Sequence, residues 1–263
     1  MFQLNRVYIT GAGGFVGSHL CKALINKGVE VVGLFHDDKK ESTFKDLKLD
    51  GKVTKVYGDV SDKEVHRRVF SEYEIDAVFH LAAQAIVSNA QKNPYNTFKV
   101  NCLGTAALLD ACKEYNINSI LVVSTDKVYG EGLNKKEDDN LNAFGVYDCS
   151  KVSEEYVARS FYYTYNMPIV ISRACNIYGP YDHNSRIIPN TMRKLAKGEK
   201  PIVFRGIEGR REYIFVDDVV DVYIKLVENI DKTKGKTFNV GTGESINQEE
   251  MVNLIIKTSG INI

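Results

Sequence analysis

Short apolar runs alternate with longer segments in which apolar residues recur every three or four positions. The runs predict buried strands, and the segments predict amphipathic helices. The predicted strands cover residues 6–10, 29–35, 53–57, 77–81, 120–123 and 169–172. Strands that alternate with helices in this way form a parallel sheet with helices on both faces. The pattern therefore predicts an α/β fold with a doubly wound parallel sheet.

The predicted helices fill the intervals between these strands. They cover residues 15–26, 97–115, 147–166, 190–197, 217–228 and a segment that begins at residue 247. Further along, the alternation loosens into a predicted loop at 176–189 and weaker strands at 201–204, 213–216 and 238–241. Residues 1–175, with 212–243 returning to them, are predicted to form a Rossmann domain. Residues 176–211 and 244–263 are predicted to form a smaller C-terminal lobe.

The composition narrows the class of protein. A chain of 263 residues suits one large domain, or a domain with a smaller lobe. Lys and Arg together number 34, as do Asp and Glu, so no net charge attracts the chain to nucleic acid or to an anionic membrane. The five cysteines lack metal-type spacing, and no metal site is predicted. With neither a signal-peptide pattern nor a long apolar span, we expect a cytoplasmic protein without a membrane partner.

A cluster of glycines joins the first predicted strand to the first predicted helix. Glycine is needed where the backbone turns tightly and approaches a pyrophosphate, which the helix N-terminus then binds. The spacing is GxxGxxG with Gly13 added, and a glycine cluster can also be a simple turn. The strand before it and the helix after it favour a dinucleotide site. The residues assigned to the cofactor in this segment are Gly11, Gly14, Phe15, Val16 and Gly17.

The end of the second predicted strand bears on the choice between NAD and NADP. An acidic residue here binds the adenosine ribose hydroxyls in NAD sites. The strand ends at Phe35, and Asp37 follows two positions later, so Asp37 is assigned to the ribose. Lys39 and Lys40 come next and could meet a 2′-phosphate. We expect NAD, with NADP as the alternative, because no basic side chain lies in the glycine turn.

Polar residues also follow the third and fourth predicted strands. Asp59 can accept a hydrogen bond from the adenine amino group, or it can cap the helix that starts near Asp62. His80 is interpreted as a core histidine with satisfied hydrogen bonds rather than as a base. Asn101 interrupts an apolar helix face, either as a buried polar anchor or as a surface amide. The further cofactor assignments are Asp59, Val60, Leu81, Ala82, Ala83, Gln84 and Asn101.

The fifth predicted strand and the helix after it carry the candidate chemistry. The strand delivers four polar side chains at its end: Ser124, Thr125, Asp126 and Lys127. Tyr147 and Lys151 lie four positions apart and therefore share a helix face. A nearby ammonium lowers the pKa of a phenol, which would make Tyr147 a general base. Tyr95 and Lys99 have the same spacing, but they do not follow a strand that ends in hydroxyl residues.

These motifs occur in the order found in one family. TGAGGFVGSHL, GDV, HLAAQ, VNCLGT, STDKVYG, YDCSK, RACNIYGP and REYIFVDDV span most of the chain. Together they resemble the extended short-chain dehydrogenase/reductase family, in its nucleotide-sugar epimerase and dehydratase group. The resemblance implies a Rossmann domain carrying NAD(P), a lobe that binds a nucleoside diphosphate sugar, and a homodimer. The chain ends earlier than family members do, so we expect an incomplete substrate-binding lobe.

The resemblance also implies individual roles. Tyr147 takes the proton of the sugar 4-hydroxyl, while Lys151 holds the nicotinamide ribose and lowers the pKa of the tyrosine. Asn101 supports the helix near Lys151, and the hydroxyl of Ser124 or Thr125 bonds to the substrate oxygen. Arginine suits phosphate recognition, which favours a diphosphate substrate. The residues expected to bind substrate are Gln84, Ser124, Asn176, Arg186 and Arg211.

The triplet Thr-Asp-Lys at 125–127, together with HLAAQ, is similar to CDP-glucose 4,6-dehydratases. We therefore predict a 4,6-dehydratase in which Asp126 protonates the departing hydroxyl, provided that burial raises its pKa. Lys127 serves as a base if desolvation keeps it neutral, and otherwise orients a water. Two alternatives stay open. One is a 4-epimerase of the same family, and the other is a catalytically silent NAD(P)-binding protein.

Overall fold

The computed structural model describes residues 3–202 and 209–261. Its strands are β1 (Arg6–Thr10), β2 (Glu30–Phe35), β3 (Thr54–Tyr57), β4 (Ala77–His80), β5 (Ile120–Thr125), β6 (Ile169–Ala174), β7 (Asn176–Tyr178), β8 (Arg211–Phe215), β9 (Thr237–Val240) and β10 (Ser245–Ile246). Its helices are α1 (Phe15–Asn26), α2 (Thr43–Asp46), α3 (Lys63–Glu72), α4 (Val87–Lys92), α5 (Pro94–Phe98), α6 (Gly104–Glu114), α7 (Val146–Tyr165), α8 (Ile187–Ala196), α9 (Val216–Glu228), α10 (Ile230–Thr233) and α11 (Gln248–Ser259). Among these helices none has the length and apolar character that crossing a membrane requires.

Seven strands form the main sheet in the order β3-β2-β1-β4-β5-β6-β9. Every neighbouring pair in it is parallel, which confirms the predicted doubly wound sheet. The strand order reverses between β1 and β4. In open α/β sheets, ligands bind outside the carboxyl ends of the strands at this switch point. We therefore expect a ligand site at the carboxyl ends of β1, β4 and β5.

Apolar side chains fill both faces of this sheet. One face buries Ile9, Leu20 and Phe79 with residues of α9, and the other buries Tyr8 and Leu109 with residues of α3, α6 and α7. Alternate residues of one strand, such as Tyr8 and Ile9, enter opposite faces because side chains alternate along a strand. Full burial of one such side chain is worth roughly 1.5–3 kcal/mol. These two layers hold the strand ends in fixed positions.

Three further strands form a second, smaller sheet. Strand β7 pairs in parallel with β8, and β8 pairs antiparallel with β10. The loop predicted at 176–189 therefore contains a short strand and the start of α8. The structure places 211–215 in this small sheet, so the chain returns to the main layer with α9 rather than at residue 212. The strand predicted at 201–204 is absent at 201–202, and residues 203 and 204 lie outside the described part of the chain.

The helix predicted at 97–115 is divided into three parts. Asn93 caps α5, and Pro94 occupies its first turn, where the missing N–H is not needed. A π-helical turn, Lys99–Leu103, then leads into α6. Such turns are rare and occur frequently at functional sites. This turn packs against α7 and presents Asn101 to it.

A buried hydrogen-bonded network fixes the other side of α7. Arg173 on β6 donates to both carboxylate oxygens of Glu155, at 2.9 and 2.7 Å. The same guanidinium donates to the Tyr129 hydroxyl at 2.6 Å and to the Glu137 carbonyl at 3.1 Å. The Tyr129 hydroxyl in turn donates to Asn239 at 2.7 Å. The network ties α7 and the segment after β5 to the main sheet.

Candidate active site

The glycine turn between β1 and α1 leaves no room for side chains. Gly11 has φ +73°, and a Cβ there would lie 2.8 Å from the Ala82 nitrogen. A Cβ on Gly17 would collide with the Gly11 carbonyl. The Gly14 N–H donates to that same carbonyl at 3.0 Å and closes the turn. A tight turn that opens directly onto the free N–H groups of a helix fits a dinucleotide pyrophosphate.

The additional glycine of the motif has a specific partner. A Cβ on Gly13 would lie 2.8 Å from the ring of Phe35, the last residue of β2. Phe35 is 5% exposed and packs edge-on against Phe44, with ring centroids 5.0 Å apart. Phe35 and Gly13 are therefore complementary in size. Asp37 is exposed beyond the strand, and its assignment to the ribose stays a prediction.

The histidine at the end of β4 belongs to the core, as predicted. His80 is fully buried between two hydroxyls, with Nδ1 2.7 Å from Thr10 Oγ1 and Nε2 2.8 Å from Thr105 Oγ1. Burial, with a smaller contribution from the Lys151 charge, lowers its pKa well below the usual value. The neutral imidazole therefore links Thr10 on β1 to Thr105 on α6.

Asn101 is a buried anchor rather than a surface amide. It is fully buried in the π-helical turn, and its Oδ1 accepts from the Gln84 N–H at 2.7 Å. Its Nδ2 donates to the Ser150 hydroxyl at 2.8 Å. Gln84 directs its own side-chain oxygen to the Ile86 N–H at 3.3 Å. Asn101 therefore joins the segment after β4 to α7, beside Lys151.

Asp59 is held by other residues of the protein. Its carboxylate accepts from Lys99 at 2.7 Å and from the Ser61 N–H at 2.9 Å. The Lys99 hydrogen bond is the main reason that the pKa of Asp59 falls to about 2. The alternative that Asp59 caps α3 is wrong, since Asp62 caps it by accepting from the Glu64 N–H at 3.0 Å. A role with adenine stays a prediction.

Tyr147 lies in the first turn of α7 and is 9% exposed. Burial raises the pKa of its phenol far above the usual range, and the charge of Glu154 raises it further. The nearby Thr125 hydroxyl and the charge of Arg186 act in the opposite direction. No hydrogen bond among the described residues joins Lys151 to Tyr147, and the lowering of this pKa by Lys151 stays a prediction.

Lys151 has two partners, and neither is Tyr147. Its ammonium donates to the Val123 carbonyl at 2.6 Å and forms an ion pair with Glu154. Glu154 is fully buried, and apart from the Lys151 ion pair neither of its carboxylate oxygens has a hydrogen-bond partner among the described residues. Burial raises the pKa of Glu154 to about 7, although Lys151 opposes the increase. The sequence analysis missed Glu154, but its spacing of three residues from Lys151 could have revealed it.

The polar residues at the end of β5 form a chain of contacts. Thr125 Oγ1 donates to Asp126 Oδ1 at 3.1 Å, and the Lys127 ammonium lies 3.3 Å from the same oxygen. Lys127 also lies 3.5 Å from Asn176 Oδ1. The Asp126 side chain is 37% exposed, and its burial beside the sugar stays a prediction. The Ser124 hydroxyl is buried and has no partner among the described residues.

Asp148 is a second carboxylic acid that the sequence analysis missed. It follows Tyr147 directly in the first turn of α7. Burial raises its pKa, while Lys127 opposes that change. Its Oδ1 is buried without a hydrogen-bond partner in the described chain. Asp148 is the acidic residue of the motif YDCSK, between Tyr147 and Lys151, and this position in the sequence could have identified it.

The structure brings together some of the predicted substrate residues. Asn176 donates to the Glu212 carbonyl at 2.9 Å and faces Lys127. Arg186 donates to the Ile177 carbonyl at 3.3 Å, and its charge lowers the pKa of Tyr147. Arg211 is exposed and donates to the Arg210 carbonyl at 3.1 Å. No hydrogen bond among the described residues joins Arg211 to the group around Tyr147.

The chain is similar to nucleotide-sugar enzymes. It is 32% identical to the dTDP-D-glucose 4,6-dehydratase of Dictyostelium discoideum, over 97% of this chain and 62% of that protein. The human dTDP-D-glucose 4,6-dehydratase is 27% identical, over 97% of this chain and 75% of its own length. The chain therefore spans under two thirds of the first relative.

Solved structures share the fold. The UDP-glucose 4-epimerase of Thermotoga maritima, with UDP-glucose, matches with TM-score 0.89 and 26% identity, over 98% of this chain and 84% of that one. The dTDP-glucose 4,6-dehydratase of Streptomyces venezuelae, with NAD bound, matches with TM-score 0.87 and 25% identity, over 98% and 82%. The model of the NAD dependent epimerase/dehydratase family matches residues 7–241. From the glycine turn to β9, the chain therefore belongs to the NAD dependent epimerase/dehydratase family.

Proposed function

We propose that the protein is a nucleotide-sugar 4,6-dehydratase that uses NAD and acts on a nucleoside diphosphate hexose. The observation that carries the proposal is the contact chain from Thr125 to Asp126 and Lys127 at the end of β5, in a segment that packs against α7, the helix of the buried Tyr147. It puts an acid–base residue for C4 beside a carboxyl and an ammonium group that a dehydration needs. The similarity to 4,6-dehydratases over nearly the whole chain supports the same conclusion.

The residues present fit NAD. The turn at Gly11 and the start of α1 would hold the pyrophosphate, and the exposed Asp37 would bind the adenosine ribose. Lys151 would bind the nicotinamide ribose, since an ammonium has three donors and only two are engaged by Val123 and Glu154. When bound, NAD supplies a hydride acceptor for C4 and later a hydride donor for C6. The exposed Lys39 and Lys40 keep NADP as the alternative.

The first proton transfer belongs to Tyr147. Its phenolate takes the proton of the sugar 4-hydroxyl as C4 is oxidised to a ketone. The Thr125 hydroxyl lies near Tyr147, and the buried Ser124 hydroxyl, which has no partner among the described residues, is available to the substrate oxygen. Because burial disfavours the phenolate, positive charge near Tyr147 is needed to form it at neutral pH. Arg186 supplies part of that charge.

Loss of water follows. The ketone at C4 makes the C5 proton acidic, and the C6 hydroxyl leaves as water once Asp126 has protonated it. Lys127 is paired with Asp126 and its side chain is 33% exposed, so we assign it the role of orienting the water that removes the C5 proton. Return of a proton to C5 and of a hydride to C6 completes a 4-keto-6-deoxy sugar. Asn176 would hold Lys127 in a fixed position relative to the sugar.

The Asp126→Asn variant tests this assignment. Several nucleoside diphosphate hexoses are incubated with NAD and either the unmodified protein or the variant, and products are identified by NMR. We expect Asp126→Asn to slow water loss by about 10²-fold or more while C4 oxidation continues, so that a 4-keto hexose accumulates. Asp231→Asn, an exposed carboxylate on α10, is the matched control and should behave as the unmodified protein. Unchanged water loss would remove Asp126 from the mechanism and leave Asp148 as the next candidate acid.

The two alternatives have their own outcomes. A 4-epimerase needs only Tyr147 and rotation of the ketone intermediate, and the match to the Thermotoga maritima epimerase keeps this candidate. Its product would be inverted at C4 and would retain the C6 hydroxyl. A catalytically silent NAD(P)-binding protein would bind cofactor and convert none of the sugars. The intact Tyr147 and Lys151 argue against that outcome.

A homodimer is proposed on different grounds. Large apolar side chains are exposed on neighbouring elements, with Tyr95 80% exposed on α5, Leu103 56% exposed on the π-helical turn and Tyr156 58% exposed on α7. Exposed apolar patches of this kind mark interaction surfaces. Sedimentation velocity should give the mass of a dimer, and Leu103→Lys should shift it towards the monomer. A dimer that survives this change would use another surface.

A further inference from the structure

Glu154 is a buried carboxylate that the proposed reaction does not use. It lies on α7, seven positions after Tyr147 and three after Lys151, so all three share one helix face. Its side chain is 1% exposed, and that of Lys151 is 3% exposed. A buried carboxylate is costly unless it is paired and hydrogen-bonded. Glu154 has the ion pair but lacks a partner for Oε1 in the described chain.

The ion pair determines what Lys151 offers to its surroundings. Two of the three ammonium donors point to Glu154 and to the Val123 carbonyl on β5. An ionised Glu154 also cancels most of the positive charge that Lys151 would otherwise present to Tyr147. Among the charges that act on Tyr147, Glu154 is the one that most strongly opposes the phenolate.

Few other charged groups face Glu154. On its own helix, Lys151 favours its ionised form and Glu155 opposes it. Cys102 faces Glu154 from the π-helical turn. Burial raises the pKa of the Cys102 thiol, and the charge of Glu154 raises it further. From β4, His80 faces Lys151 and is held neutral. The local balance therefore depends on Glu154 and Lys151.

We propose that Glu154 is a positioning residue, which anchors the Lys151 ammonium and limits the positive charge that Lys151 presents to Tyr147. The inference rests on the proposed roles of Tyr147 and Lys151. Burial brings the pKa of Glu154 to about 7, so its charge changes in the neutral range. Protonation of Glu154 would release the Lys151 charge towards Tyr147 and favour the phenolate. Ionisation of Glu154 would have the reverse effect.

The test is a direct titration of Tyr147 by tyrosinate ultraviolet absorbance. Curves are recorded for the unmodified protein and for Glu154→Gln, and each is corrected by the same protein carrying Tyr147→Phe. We expect Glu154→Gln to lower the midpoint of Tyr147 by about one pH unit or more, because it removes a neighbouring negative charge. Glu154→Asp, which keeps the charge, should restore a midpoint close to that of the unmodified protein. Circular dichroism at each pH identifies the range in which each protein is folded.

Glu72→Gln, an exposed glutamate on α3, is the control for a remote change of one charge and should not move the midpoint. The inference would be overturned if the corrected absorbance curves of Glu154→Gln and of the unmodified protein coincide. This holds whether or not the absorbance rises within the pH range in which both proteins are folded. A purely structural role would lower stability without moving the Tyr147 midpoint. If Glu154→Gln does not fold, Glu154→Leu takes its place with the same expectation. The titration needs no turnover, so its failure is distinct from failure of the proposed dehydratase activity.

Discussion

Two neighbouring glutamates on α7, Glu154 and Glu155, are both fully buried, and each forms an ion pair with a buried cation. Glu155 receives two hydrogen bonds from Arg173, which also donates to Tyr129 and to a backbone carbonyl. Glu154 has the Lys151 ion pair, and in the described chain neither of its oxygens has a hydrogen-bond partner beyond that pair. The two pairs lie one residue apart in sequence but differ in how completely they are bonded.

We call the pair of Glu155 and Arg173 the anchor and the pair of Glu154 and Lys151 the adjustable site, because they differ in how completely they are bonded. Removing a charge from water is costly, and only good geometry with further hydrogen bonds offsets the cost. The pair of Glu155 and Arg173 meets that condition and ties α7 to β6. The pair of Glu154 and Lys151 does not, so the proton affinity of Glu154 rises into the neutral range. Lys151 thereby keeps one ammonium donor available for chemistry.

The largest expected effect comes from Tyr147→Phe. This change removes the phenol hydroxyl, the acid–base group beside the adjustable site, and keeps the ring. Turnover of the nucleotide sugar should fall about 10²–10⁴-fold, while NAD binding and the melting temperature change little. Tyr95→Phe is the matched control, since Tyr95 has the same spacing to Lys99 but is 80% exposed, and Lys99 pairs with Asp59. Full activity in Tyr147→Phe would require another base.

Breaking the anchor should cost stability instead of chemistry. Glu155→Gln leaves Arg173 buried and without its counter-charge, and we expect a loss of about 3–5 kcal/mol in the free energy of unfolding. Urea denaturation measures this quantity. Glu154→Gln should cost less, because the charge that it removes is incompletely bonded. Equal losses in the two variants would contradict the distinction between anchor and adjustable site.

The pH dependence of stability offers a smaller, signed test of the same distinction. Glu154 has a pKa of about 7 in the folded protein, above its ordinary value of 4.5. The folded state therefore binds more protons than the unfolded state between these values, and the contribution of Glu154 to stability decreases as pH rises from 4.5 to 7. The loss should reach about 3 kcal/mol at most. Above pH 7 and below pH 4.5, it should stay constant.

Urea denaturation of the unmodified protein and of Glu154→Gln across this range isolates the contribution of Glu154. The difference between their free energies of unfolding should decrease with pH, in favour of the variant. Glu72→Gln should give a flat difference, because that glutamate is exposed on α3. A difference that increases with pH for Glu154→Gln would mean that Lys151 lowers the pKa of Glu154 more than burial raises it.

The features that the sequence predicted well are local or periodic. The alternating pattern predicted the parallel strands, and the glycine spacing predicted the turn before α1. The partner of Gly13 was hidden, because Phe35 reaches it only after β2 lies beside β1. The partners of Lys151 were also hidden, since they depend on where β5 places the Val123 carbonyl and on the burial of Glu154. The exposure of Asp126 depends on how the segment after β5 leaves the sheet.

The most direct test of the proposed reaction is the position of solvent deuterium in the product. The unmodified protein is incubated with NAD and a nucleoside diphosphate hexose in deuterated water, and the product is analysed by NMR. Because dehydration removes and returns the C5 proton through groups open to solvent, the account predicts a 4-keto-6-deoxy sugar with deuterium at C5. A product inverted at C4, with its C6 hydroxyl retained and no deuterium at C5, would contradict it.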